Sequence, residues 1–292
     1  MSIDGQIIAS LDESVCSQKE LRDYGEKGLF PYPFEPLIDF VKRARSFDQG
    51  DCQNDRKKTT KNHQIYCKDW YKQLGCRPSW VQISFSNKKL PFWQGGALWV
   101  SDYHKKHQPP VVQLRQDFFK GAYFKYTKKE VLLHEITHAL RFAFDESRFE
   151  EILAYYHSPS KFRRFFGPLF KDPKQSNIFL SLLFCSFILQ ITAPFWVLSP
   201  LYSLFNVGIL LPVIDLIQKG CILVRDQRIF RKTLKKIALL FPKSNGGFPI
   251  LLRLKDEEIC QFALLSLEEL GAITKDKSHL SPRWLQIFSQ FC

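Results

Sequence analysis

The sequence has no CxxC pair among its eight cysteines, which stand apart at Cys16, Cys52, Cys67, Cys76, Cys185, Cys221, Cys260 and Cys292. That spacing excludes a zinc ribbon and a dense disulfide framework and fits reduced thiols in a cytosolic compartment; a bridge among Cys52, Cys67 and Cys76 stays open. The amino-terminal stretch MSIDGQIIASLDESV lacks a basic region followed by an apolar one, so a cleaved signal peptide is not expected. Acidic residues are scarce beside basic ones. The 29 Asp and Glu face 42 Lys and Arg, and the net charge of +13 asks for an anionic partner: nucleic acid, a lipid surface or an acidic substrate. Internal repeats and long low-complexity segments are missing too. The chain is 45% hydrophobic over 292 residues, enough to bury a sizeable core, so disorder is not expected.

The longest absence is of charge. From Gln175 to Ile214 no charged residue occurs. Wholly helical, that run would reach roughly 60 Å, about twice the hydrocarbon thickness of a bilayer. Pro194, Pro200 and the polar LSPLYS break it near the middle, which predicts two spans, about 177–197 and 201–218. A buried hairpin in a soluble core is the competing reading, and the uncharged length disfavours it. Both flanks are basic, with Lys161, Arg163, Arg164, Lys171 and Lys174 before and Lys219, Arg225, Arg228, Arg231, Lys232, Lys235 and Lys236 after. The positive-inside rule then places both ends on the cytoplasmic side of a cell membrane, multi-pass. KFRRFFGPLFK and VRDQRIFRKTLKK mix cations with Phe, Leu and Ile, as segments at an anionic lipid interface do. Beside a membrane hairpin, lipid is the expected partner and nucleic acid is not.

Before the hairpin, EPLIDFVKRARSF sets Leu37, Phe40, Val41, Ala44 and Phe47 on one helical face, and HQIYCKDWYKQLG predicts a second helix stopped by Gly75. Three strands follow, in RPSWVQISFS, GGALWVS and PPVVQLRQ, the last a candidate edge strand able to hold an extended peptide. This order predicts an α+β domain in which a small mixed sheet lies over the next helix.

That next helix carries VLLHEITHAL. Thr127 and Glu130 read as a capping box at its start, and His134 and His138, four apart, leave the same face one turn from each other. Two imidazoles so placed can bind one tetrahedral Zn²⁺, and Glu135 can reach a water there as general base without being a ligand. A metzincin would need Gly and His soon after; Arg141 stands three after His138 and no such pattern follows. The chain gives DESRFEEILAYYH instead. Ser147 and Glu150 read as a second capping box, which favours Glu150 at the cap and Glu151 turning back as third ligand, with Glu150 as the alternative ligand. The fourth position stays open. Lys128, Lys129, Glu130, Arg141 and Asp145 make the helix too charged to lie inside a bilayer.

HEITH followed by EEILAY resembles a zincin metallopeptidase of the gluzincin type, with HExxH on one helix and ExxA on the next; Glu151 to Ala154 reads E-I-L-A. The gap from His138 to Glu151 is short for that group, and Tyr155 stands where some members carry an Asp. The resemblance implies a zincin-like catalytic domain holding one zinc ion on His134, His138 and Glu151, with Glu135 catalytic, acting on a peptide or protein segment near the bilayer. Tyr155, Tyr156 and His157 are candidates for stabilising the developing oxyanion, and His104 and His107 for facing the cleft. The alternative is a non-catalytic integral membrane protein whose metal site is structural or vestigial. The expected division is an amino-terminal segment 1–30, a catalytic domain 31–174, a transmembrane hairpin 175–218 and a basic helical region 219–292. In the last, RLKDEEICQFALLSLEEL predicts one amphipathic helix ending near Gly271, and SPRWLQIFSQF another, capped at Ser281.

Overall fold

Helix α1, Gln18–Glu26, begins the computed structural model, which describes residues 16–49, 69–100, 109–192, 208 and 210–292. Its start is a reciprocal capping box: the Ser17 side chain accepts from the Glu20 N–H at 3.2 Å and the Glu20 carboxylate from the Ser17 N–H at 3.1 Å. Leu21 and Tyr24 are buried. Helix α2, Leu37–Gln49, buries Phe40, Val41, Ala44 and Phe47, the face its periodicity predicts. Residues 69–74 form α3, with Trp70 and Leu74 buried, and Gly75 ends it at φ +68°. The predicted residues of that helix before 69 lie outside the described ones.

The sheet is mixed and three-stranded. Strands β1 (Gln82–Phe85) and β2 (Gly96–Trp99) flank β3 (Val111–Leu114), β1 parallel to it and β2 antiparallel. VVQLR is therefore the central strand, not the expected edge. Val112 and Leu114 are fully buried between two neighbours, and β1 and β2 are the edges. A small hairpin of β4 (Ala122–Tyr123) and β5 (Tyr126–Thr127) leads into α4, Lys128–Arg141, which lies against β2 and β3 through buried Leu132, Ile136, Ala139 and Leu140. Short helices α5 (Glu150–Tyr155) and α6 (Lys161–Phe166) follow.

Helix α7, Pro173–Thr192, contains the one stretch among the described residues, Lys174–Thr192, long and apolar enough to cross a membrane. Ile178, Leu180, Leu183, Phe184 and Phe187 project outward from it uncovered. It packs beside the start of α8, Leu210–Leu240, and Ser186 Oγ donates to the Gly208 carbonyl at 2.9 Å. Residues 193–207, with Pro194, Pro200 and much of the second predicted span, lie outside the described residues.

The expected division at 218 falls inside one helix. Helix α8 runs unbroken from its apolar start into the basic segment, because Leu223, Phe230 and Ile237, seven residues apart, keep one stripe buried against the core. The predicted single helix over 253–270 is two, α9 (Asp256–Leu264) and α10 (Leu267–Leu280), and Gly271 lies within the second. Ser266 explains the break: its side chain accepts from the Glu269 N–H at 3.2 Å while the Glu269 carboxylate caps Ser266 N–H at 2.7 Å, starting a new helix. Helix α11, Pro282–Phe291, starts after Ser281 with Pro282 in its first turn, though the Ser281 side chain makes no capping bond. It packs on α1, and Gln286 Nε2 donates to the Leu21 and Leu29 carbonyls at 3.0 and 2.9 Å. One hydrophobic cluster joins Leu21, Phe40, Leu114, Ile136, Leu153, Ile237, Phe262 and Trp284, so α1, α2, the sheet, α4 and the carboxy-terminal helices share one core.

Candidate metal centre

The first turn of α4 uses only half of its expected capping box. Thr127 Oγ1 accepts from the Glu130 N–H at 3.2 Å. The Glu130 carboxylate turns elsewhere, accepting from Ser158 Oγ at 2.5 Å and from Arg163 Nε and Nη2 at 2.7 and 2.8 Å. This clamps α6 to the start of α4.

Two turns further on, His134 and His138 point their Nε2 atoms together, 3.2 Å apart. Glu151, from α5, brings Oε1 to 3.4 Å from His138 Nε2 and Oε2 to 3.8 Å from His134 Nε2. Ligands about 2.05 Å from a tetrahedral ion stand about 3.3 Å from one another. The three side chains therefore fit one divalent cation, and their ligand atoms all lie within 4.8 Å of each other. Two imidazoles and a carboxylate are also a donor set that zinc accepts.

The expected Ser147–Glu150 box is absent. Helix α5, with Phe149 at its N-cap, has no side-chain cap; just before it, Asp256 accepts from the Arg148 N–H at 2.9 Å. Glu150 has a different task. Its Oε1 accepts from His138 Nδ1 at 2.9 Å and its Oε2 from Arg141 Nε at 3.0 Å. Arg141 is buried and donates from Nη1 to the Leu252 and Leu254 carbonyls at 3.0 and 2.8 Å. A chain of contacts thus runs from the carboxy-terminal region through Arg141 and Glu150 to a ligating imidazole, fixing its tautomer and orientation. Spacing alone gave Arg141 and Glu150 no such roles.

Burial tunes the cluster. It pushes His134 down to about 4, helped by the charge of His138, which leaves a neutral imidazole suited to ligation. Burial would lower His138 too, but the Glu151 and Glu150 carboxylates outweigh it and raise it well above the usual range. Burial raises Glu135 to about 7, with His138 pulling it down and Glu151 pushing it up. Burial also works to raise Glu151, and the two histidines overcome it and hold that carboxyl low. Glu135 is not among the ligand atoms. It packs against Gly96 on β2, where an added Cβ would stand 3.1 Å from both Glu135 Cγ and Oε1.

The cluster opens into a cleft of about 430 Å³. Trp93 to Gly96 and Phe124 line one side; Tyr155, His157 and Ser158 line another; Phe170, Lys171, Ser176 and Asn177 close the far end. No family model, curated protein or solved structure matches this chain. Of the three expected oxyanion candidates, Tyr155 and His157 line the cleft, Tyr155 with its ring edge-on to His134 at 4.4 Å. Tyr156 instead stacks on Phe248 at 4.6 Å, and His157 commits Nε2 to the Gln73 carbonyl, donating at 3.1 Å. Burial, then the Glu151 charge, raises the Tyr155 phenol and keeps it protonated. His104 and His107 lie outside the described residues.

Proposed function

We propose that the protein is a membrane-anchored zinc metallopeptidase whose catalytic part sits in water on the cytoplasmic face, with a helical hairpin as anchor. The observation that carries this is the convergence of His134, His138 and Glu151 beside a raised, non-ligating Glu135 in an open cleft. Structural zinc sites are closed by four protein ligands; catalytic ones have three and an open position. The gluzincin resemblance of HEITH and EILA supports the same reading, and so does the uncovered apolar surface of α7.

His134, His138 and Glu151 would hold the ion, with Glu150 and Arg141 orienting His138. When bound, zinc supplies Lewis-acid polarisation of a carbonyl and a more acidic water. Glu135 takes the proton of the attacking water and returns it to the leaving amine, from a buried position beside the ligands without being one of them. Tyr155 donates to the carbonyl oxygen as charge grows on it. The edge of β2, unpaired among the described residues, aligns an extended peptide by main-chain hydrogen bonds across the cleft.

The test joins metal analysis to hydrolysis. Purified protein should carry one zinc per chain, and Glu135→Gln should keep the zinc while losing hydrolysis of an unfolded protein by about 10²-fold or more. Absence of stoichiometric zinc, or a variant as active as the parent, would overturn the reading.

A further inference from the structure

The far end of the cleft is made by the root of the apolar helix. Ser176 and Asn177, which line the cavity, lie in the first turns of α7, immediately before the exposed apolar side chains that begin at Ile178. The metal ligands and the entry to the apolar stretch therefore share one cavity. A sphere of about 430 Å³ would be roughly 10 Å across, the length of about three extended residues.

The surroundings of the cleft suit a lipid interface. Helix α6, whose neighbour Gly167 lines the cavity, has no buried residue and exposes Phe162 and Phe166 beside Lys161 and Arg164. Across the opening, Phe92, Trp93 and Phe124 are 67%, 69% and 71% exposed. Aromatic rings interleaved with cations lie well at the headgroup level.

The geometry is also fixed. Glu130 ties α6 to α4 through Arg163 and Ser158. Fully buried Asp226 on α8 accepts from Arg148 at 2.7 Å and from Lys171 at 2.9 Å, joining the approach to α5 and the approach to α7. The cleft cannot swing away from the base of α7 without breaking these charge pairs, whose carboxylates are buried.

We infer that the substrates are themselves membrane-anchored polypeptides, cut within about three to six residues of the point where they leave the bilayer. This rests on the peptidase reading and on the insertion of α7. A chain emerging from the bilayer beside α7 reaches Glu135 after a few extended residues, whereas a soluble peptide must reach a cleft whose opening the lipid surface adjoins.

The test uses the full chain with zinc, reconstituted in vesicles of phosphatidylcholine and phosphatidylglycerol at roughly three to one. The substrate is a single-span reporter with an unstructured cytoplasmic linker, and cuts are mapped by mass spectrometry. The same linker is offered as a soluble peptide. Cuts should cluster within about six residues of the span, and the soluble peptide should be cut at least about tenfold more slowly. A second readout needs no turnover. Glu135→Gln protein carrying a benzophenone side chain in place of Asn177 should crosslink to the span-proximal residues of the uncut linker. Cuts spread evenly along the linker, a soluble peptide cut equally fast, or crosslinks absent or confined to distal residues would overturn the inference and leave the peptidase reading standing. No cutting of either substrate would remove the peptidase reading, and the inference with it.

Discussion

Glu150→Gln separates a designed metal site from a fortuitous cluster. The two oxygens of Glu150 divide their work, Oε1 accepting from His138 Nδ1 at 2.9 Å and Oε2 from Arg141 Nε at 3.0 Å. Glutamine keeps the shape but has one carbonyl oxygen, so one of the two donors must face an amide NH₂. Arg141 also holds the Leu252 and Leu254 carbonyls and stays anchored, so the fold should survive with a cost of about 1–3 kcal/mol. His138 has no such second anchor through Nδ1. Partners that orient a ligating imidazole are typically worth 10–100-fold in metal affinity, or about 1.4–2.7 kcal/mol. Equilibrium competition for zinc against a chromophoric chelator at fixed pH measures this directly. Glu150→Gln should weaken zinc by that factor, and Glu151→Gln, which alters a ligand itself, by more. Zinc affinity within twofold of the parent in Glu150→Gln would refute the claim that Arg141 and Glu150 orient the site.

Gly96→Ala should press on the proposed general base and on the core beside it. The new Cβ would meet Glu135 and Leu114 Cδ2 at 3.1 Å; displacing the carboxylate should lower kcat by roughly tenfold to a hundredfold, and crowding Leu114 should lower the thermal midpoint as well. Unchanged kcat would show that Glu135 need not be held against β2. Glu258 gives a pH signature remote from the metal. Burial works to raise it, but hydrogen bonds and charge from Arg283, the Lys255 N–H and Trp284 bring it down to about 2. A carboxyl depressed from 4.5 contributes stability that is full above the unfolded value and is lost as pH falls from about 4.5 to about 2, some 3 kcal/mol in all. Urea unfolding across that window should show Glu258→Gln lacking most of this pH dependence; the same acid loss in both proteins would contradict it.

What the sequence made legible follows from distance along the chain. The i, i+4 histidines and the carboxylate on the following helix are local patterns, and the structure brings His134, His138 and Glu151 together. The core face of α2 and the stop at Gly75 were legible for the same reason. Glu150 was not, because S-x-x-E spacing suggests a local capping box, whereas here α5 has no side-chain cap and the Glu150 carboxylate is held by His138 and Arg141. Strand order was hidden likewise. VVQLR has the same pattern at an edge or in the centre, and only its pairing with both β1 and β2 decides. The break at Ser266 was written in a reciprocal S-x-x-E, but the apolar run around it concealed the signal.

The buried hold of Arg141 on Leu252 and Leu254, and of Gln286 on Leu21 and Leu29, has a consequence in time. A ribosome delivers the histidines more than a hundred residues before the carbonyls that anchor their support, and α1 waits for α11 before its inner face is covered. The support of His138 and the inner face of α1 are therefore complete only once residues 252–254 and 282–291 have been made and docked.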